Sequence, residues 1–303
     1  MRNSADLFFT PQNFAGLTPP QADFQTATVV VLPVPYDSTT EWHSGAREGP
    51  QAIISASQYL ELYDMELGRE ICQIGIHTLP EIEPILSSPE NMIQRVYHIA
   101  RDLHQQGKFI TMLGGEHSLS LGVVRALKET IQDFCVLQLD AHADLRDEYT
   151  GTKYSHACVM RRIFELCPIV QVGIRSLSQE EQRFIEENNI HLFQVSTSGS
   201  VTTPPEQIVS SLSENVYISI DLDVFDPSIM PAVGTPEPGG MQWYEVLNLL
   251  KLICLHKHIV GFDLVELCPR EGPGSCAFLA AKLAYKLMGY AFPGNFQQES
   301  PSN

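Results

Sequence analysis

With 303 residues, of which 44% are hydrophobic and 18% charged, the chain has enough apolar material for one large α/β domain or two smaller ones. Its formal net charge of −17 argues against a nucleic-acid partner, whose phosphates need a basic surface, and suits a cationic small molecule. No apolar run is long enough to span a bilayer, the N-terminus lacks the apolar stretch of a secretory leader, and the seven cysteines form no Cys-x-x-Cys pair, so a cytoplasmic protein with buried free thiols and no membrane contact is expected.

In chain order, apolar periodicity predicts a strand over Val29–Leu32, then helices over Gln51–Tyr63 and Asn91–Gln106. A strand follows at Phe109–Leu113, a helix at Ser118–Thr130, a strand at Cys135–Leu139 and a helix at Ser155–Leu166. Strands at Ile169–Gly173 and Tyr217–Ile220 come next, then a helix over Gln242–His256 and a strand over Ile259–Val265. Ser196–Pro205 is polar and too short for a domain linker, so it reads as a surface loop and residues 1–303 as a single domain. Near-continuous apolar strands alternating with helices imply a mostly parallel sheet covered on both faces, with its ligand site at the carboxyl ends of the strands.

Chemistry collects at those ends. The run Phe134–Leu139 leads into Asp140-Ala141-His142-Ala143-Asp144, and about 80 residues later Val216–Ile220 leads into Asp221-Leu222-Asp223. Side chains of extended backbone repeat with period two, which predicts one face for Asp140, His142 and Asp144 and another shared by Asp221 and Asp223. Taken singly, Asp140 reads equally as a helix cap and Asp144 as a solvated charge. Two sets of carboxylates at adjacent strand ends repel without a counter-ion, which favours a metal cluster. Same-face side chains lie roughly 6–7 Å apart, a spacing that suits two ions about 3.5–4 Å apart better than one. A carboxylate-rich set with imidazole and no thiolate favours Mn²⁺ over structural zinc, while Ni²⁺ and Co²⁺ also match these ligand types. Gly114-Gly115-Glu116-His117 adds a histidine at a third strand end, after a turn that its glycines permit.

Together these segments, with Ser219–Pro227, Pro35–Thr40, Gly45–Pro50, Gly234–Gly240 and Asp263-Leu264-Val265-Glu266, resemble the ureohydrolase superfamily of arginase, agmatinase and relatives over nearly the whole chain. The resemblance implies a three-layer α/β/α fold and a homotrimer or homohexamer. It also implies two Mn²⁺ ions, one held by His117, Asp140, Asp144 and Asp221, the other by His142, Asp140, Asp221 and Asp223, with Asp140 and Asp221 bridging. Glu266 would then orient a guanidinium and His156 would shuttle a proton to the leaving amine, roles that suit a carboxylate and a group titrating near neutrality. Glu237 is expected near the pocket, and Cys158 is expected to pack.

The stretch after Asp144, with Asp147-Glu148-Tyr149 and Tyr154-Ser155-His156, departs from arginase and looks like agmatinases. Asp147 and Glu148 would suit a substrate ending in an amine. Agmatine is therefore the first expected substrate and N1-aminopropylagmatine the second, with guanidinobutyrate, guanidine and arginine behind them. Rival classes are a deacetylase-like amidohydrolase, which would need one metal and a different ligand set, and a non-catalytic relative, which would be expected to lack some ligands.

Overall fold

In the computed structural model, which describes residues 11–195, 201 and 203–293, all six predicted strands form within one eight-stranded, wholly parallel sheet. The strands are β1 (Val29–Val34), a small antiparallel hairpin of β2 (Tyr63–Asp64) and β3 (Arg69–Glu70), then β4 (Ile76–Thr78) and β5 (Phe109–Gly114). β6 (Phe134–Leu139), β7 (Ile169–Val172), β8 (His191–Phe193), β9 (Asn215–Asp221) and β10 (His258–Val265) complete the set. Their spatial order in the large sheet is β4-β1-β5-β10-β9-β6-β7-β8. β10 and β9 thus fill the space between β5 and β6, where the direction of chain progression reverses, and that is where parallel sheets place ligands.

The described helices are α1 (Gly49–Ser57), α2 (Pro89–Gln105), α3 (Ser120–Lys128), α4 (Val159–Phe164), α5 (Gln179–Asn188), α6 (Pro205–Ser210), α7 (Trp243–His256) and α8 (Ser275–Ala291). Strand alternation sorts them into two layers. Val29 and Val31 of β1 face a core shared with α1, α6, α7 and α8. Val30, Leu32 and Val34 face a second core shared with α2, α3, α4 and α5. Strands buried on both faces have near-continuous apolar sequence, which is why they were readable. All seven cysteines are free, six of them buried. No helix among the described residues is long and apolar enough to cross a membrane.

Most predicted boundaries shift by a few residues, and three of the shifts bear on the packing or the site. The helix expected over Gln51–Tyr63 ends at Ser57, whose hydroxyl turns back to Ile54 O and accepts the Ala15 amide. The helix expected over Ser155–Leu166 begins as a 3-10 turn at His156–Cys158, and α4 then starts with Met160 and Arg161 amides bonded to Asp144 O. The strand expected to reach Gly173 stops at Val172. The sequence reading also omitted α8, whose nearly all-round burial blurs its helical period, the helices α5 and α6, the β2–β3 hairpin and the short edge strands β4 and β8. Most of the predicted Ser196–Pro205 loop lies outside the described residues.

Of the described glycines, Gly115 in the turn after β5 has the closest neighbour. A Cβ on Gly115 would lie 1.9 Å from the Tyr36 carbonyl oxygen, while the Gly115 amide donates to Val34 O at 2.9 Å. Backbone, not a movable side chain, fills the space. Gly115→Ala should therefore cost about 3 kcal/mol or more, read as a lower urea midpoint with an unchanged slope; a midpoint equal to the parent would show that the β1 and β5 ends can separate.

Candidate metal centre

One face of the sheet changes from apolar to polar just below the strand ends. On the α2–α5 face, Val136 and Tyr217 give way to Gln138 and Ser219, which pair in register, and Ser219 pairs in turn with Asp263 of β10. All three are fully buried. Gln138 Nε2 donates to Asp140 Oδ2 at 2.7 Å, and Gln171 of β7 donates to Gln138 Oε1. Ser219 Oγ donates to Asp263 Oδ1 at 2.8 Å, and the Tyr217 hydroxyl donates to Asp263 Oδ2 at 2.7 Å. Buried polar groups need partners, and this row supplies them while fixing the acids above it. The sequence reading missed Gln138, Gln171 and Ser219 as parts of the site. For Gln138 and Ser219 the signal was a polar residue two positions before an acid in an otherwise apolar strand, whereas Gln171 leads only to Gly173 and carried none.

The expected single-face array is gathered by a different route. β6 ends at Leu139, so Asp140, His142 and Asp144 lie beyond the strand, and Asp144 is left-handed with φ 54°. β9 ends at Asp221, and Asp223 sits in the 3-10 turn Leu222–Val224. Local hydrogen bonds hold these residues. Asp140 Oδ1 accepts the His142 amide at 2.6 Å, Asp221 Oδ1 accepts the Asp223 amide at 2.9 Å, and Asp223 Oδ1 accepts the Ala141 amide at 2.9 Å.

The result is two ligand groups that share one residue. His117, Asp140 and Asp221 offer atoms within 4.8 Å of one another, as do Asp140, His142 and Asp223. Asp144 Oδ2 joins the first group, 3.1 Å from His117 Nδ1. Asp140 belongs to both groups, whereas Asp221 appears in the first alone.

His117 shows what is missing from a protein-only account. Its Nε2 lies 2.9 Å from Ser219 Oγ, whose own proton goes to Asp263, so Nε2 carries the hydrogen and donates. Its Nδ1 then faces Asp140, Asp144 and Asp221 oxygens at 3.0, 3.1 and 3.5 Å and has no hydrogen-bond partner. A buried lone pair aimed at three carboxylates demands a positive charge between them. With protons as the only cations, burial opposes a charge on His117, yet the three aspartates lift its pKa well above the usual value. Burial also opposes a charge on His142, but Asp223 lifts it to about 11. Burial, then Asp223 and Asp144, push Asp140 up to about 7. Oxygen and imidazole donors in two groups joined by a common carboxylate fit a pair of divalent ions, and no thiolate takes part.

Around this centre runs a cleft lined by Glu41, Tyr149, His156, Glu181 and Glu266 among others. Glu266 Oε1 accepts the His117 amide at 2.7 Å, and its backbone is left-handed, with φ 64°. Such a conformation costs about 1–2 kcal/mol for a residue with a Cβ, and strain of this kind concentrates at functional sites. His156 enters the cleft from the 3-10 turn at His156–Cys158. Asp147 and Glu148 do not line the cleft. Asp147 is instead bound to Arg162 at 2.6 Å, and among the acids that line the cleft Glu41 is the exposed one. Glu237 also lies outside the lining and contributes its carbonyl to Arg175 at 3.0 Å. Arg175, another residue missed from sequence, ties that loop to Asp223 O at 2.6 Å and so braces the second ligand group from behind.

Comparison with known proteins gives the same picture. The family model described as the arginase family matches residues 27–289. The chain is 42% identical to an N(1)-aminopropylagmatine ureohydrolase of Synechocystis, over 88% of this chain and 90% of that one. It is 39% identical to the enzyme of the same name from Thermus thermophilus, over 88% and 91%. The crystal structure of agmatine ureohydrolase of Thermoplasma volcanium superposes with a TM-score of 0.85 at 32% identity, covering 95% of this chain and 96% of that one.

Because Asp140 and the two histidines hold protons that a metal ion must displace, apparent metal affinity should rise with pH. With Asp140 at about 7, at least one proton leaves per ion near neutrality. Titration of the metal-free protein at pH 6.5 and 7.5 should show about a tenfold gain in affinity for a proton displaced from His142 and about a threefold gain for one displaced from Asp140; equal affinities would mean that neither the histidines nor Asp140 hold protons without metal.

Proposed function

The chain belongs to the arginase family and is a ureohydrolase, and within that class we propose that it hydrolyses N1-aminopropylagmatine to urea and the matching triamine, spermidine. The observation that carries this choice is the identity of 42% and 39%, over most of both chains, to two relatives bearing that substrate in their names. Agmatine, the first expectation from sequence, becomes the second reading, supported by the Thermoplasma volcanium structure. Both substrates carry the same four-carbon guanidino end and differ only in the tail. Glu41 at the cleft, rather than Asp147 or Glu148, is the acid that suits a cationic tail.

The ions proposed are two Mn²⁺, which would be held by His117, Asp140, Asp144 and Asp221 and by His142, Asp140, Asp221 and Asp223, the place of Asp221 in the second set resting on the family resemblance alone. Divalent ions in such a site make a water acidic enough to serve as nucleophile at neutral pH. The protein's own residues do the rest. Burial, then the charge of Glu116, hold the Glu266 carboxyl well above the usual range, so an incoming guanidinium would ionise it and donate charge-assisted hydrogen bonds to it. That fixes the guanidinium carbon over the ligand groups. Cleavage of the bond between that carbon and the substituted nitrogen needs a proton on the leaving amine, and His156 in the cleft wall, once its imidazole has taken up a second proton, would supply it from Nε2 and return to the neutral form.

A urea-release panel decides the substrate. With Mn²⁺ bound, kcat/KM for aminopropylagmatine should exceed that for agmatine by about tenfold, equivalent to about 1.4 kcal/mol of added tail binding. Faster agmatine turnover would reverse the order, and no urea from any guanidino compound would remove the substrate class altogether. Glu266→Gln should lower kcat/KM by about a hundredfold or more while metal content per chain is retained; parallel loss of metal would make Glu266 a structural support for His117 instead.

A further inference from the structure

Glu116 is fully buried, one residue before a metal ligand, yet its carboxylate points away from the metal centre. Its Oε2 accepts the Ser38 and Thr39 amides at 2.6 and 2.7 Å. Its Oε1 accepts the Thr39 hydroxyl at 2.8 Å and also the Ser118 hydroxyl. With its only proton committed to Glu116, Thr39 Oγ1 has lone pairs left, and both of its other contacts come from His156. The His156 amide donates to it at 3.0 Å, and the ring Nδ1 lies 3.2 Å away. Because the hydroxyl oxygen can only accept there, Nδ1 carries the hydrogen. Ser155 Oγ, 3.3 Å from Nδ1, is the other neighbour of that atom. The tautomer leaves Nε2 free, and Tyr149 stands edge-on to the ring at 6.1 Å and confines it.

We infer that Glu116 and Thr39 are positioning residues for the proton transfer, forming a Glu116–Thr39–His156 relay that fixes the histidine's tautomer and steadies its positive charge through a hydroxyl. The arrangement follows the logic of a base oriented by a third group, with a threonine inserted between carboxylate and imidazole. It joins three segments distant in sequence, the loop after β1, the turn after β5 and the turn before α4. The inference rests on the ureohydrolase reading for its proton acceptor, the leaving amine, but the tautomer it requires does not depend on that reading.

Two measurements test it. In ¹⁵N-labelled, metal-free protein, the His156 ring should show a protonated Nδ1 and an unprotonated Nε2 at high pH, and Thr39→Val should weaken that preference. The opposite tautomer in the parent protein would overturn the relay whether or not urea is released. In the Mn²⁺-loaded enzyme, Thr39→Val should lower kcat by about thirtyfold with KM and metal content nearly unchanged, and Thr39→Ser, which keeps the hydroxyl, should recover most of the loss. In a His156→Asn background, Thr39→Val should lower kcat by less than about twofold, since the group it positions is gone. An equal loss in both backgrounds would make Thr39 a structural residue and overturn the inference. Glu116→Gln, assayed the same way, covers the case in which Thr39→Val fails to fold.

Discussion

The constraint on which the structure depends is a concentration of buried negative charge. Asp140, Asp221, Asp223 and Asp263 lie within or just beyond the central strands, Glu116 and Glu266 stand beside them, and all six are at most 9% exposed. Carboxylates removed from water and placed side by side cannot all ionise unaided. The protein meets part of this demand with hydrogen bonds: backbone amides of Ala141, His142 and Asp223, the Gln138 amide, and hydroxyls of Thr39, Tyr217 and Ser219 each point at one of these acids. What those donors leave over is centred on His117 Nδ1 and His142, where the acids' protons and the raised imidazole pKa values mark the places for cations.

Backbone geometry follows from the same demand. Turning both Asp144 and Glu266 toward the centre requires left-handed backbone at each, and neither is glycine. The neighbouring chain holds them there. The Asp144 carbonyl accepts two amides at the start of α4, and the Glu266 amide donates to Gly115 O at 2.8 Å. Glycine at 115 is needed because the Tyr36 backbone occupies the position of a Cβ. Strain at two acids and close contact at one glycine are thus local costs of bringing four strand ends to one point.

Much of this was legible in the sequence because parallel strands buried on both faces announce themselves, and because two alternating acid motifs at strand ends have few other uses. Period-two reasoning gathered Asp140, His142, Asp144, Asp221 and Asp223 correctly but for an incomplete reason. The extended backbone stops at Leu139 and at Asp221, and turns held by the acids' own side chains carry the pattern onward. The cleft opening was harder to read. Asp147 and Glu148 looked suited to an amine because they follow the metal motif, but sequence could not show that Arg162, fifteen residues on, claims Asp147. Glu41 carried no signal, since a lone acid in a polar loop has many possible surroundings. α8 was missed for the opposite reason: too many apolar residues leave no stripe to count.

Gly114-Gly115-Glu116-His117 then acquires a meaning that its pattern alone did not give. Gly115 accepts the Glu266 amide, so the proposed guanidinium acceptor is anchored to this turn. His117 presents Nδ1 to the first ligand group, and its amide holds Glu266 Oε1. Glu116 faces the other way, onto Thr39 and through it His156. Consecutive side chains leaving a turn in opposite directions let four residues connect the candidate ligand groups with Glu266 and His156, the residues proposed to hold the substrate's cationic head and to donate a proton. A displacement of this turn would therefore disturb all three at once, and its close packing against Tyr36 is what prevents one.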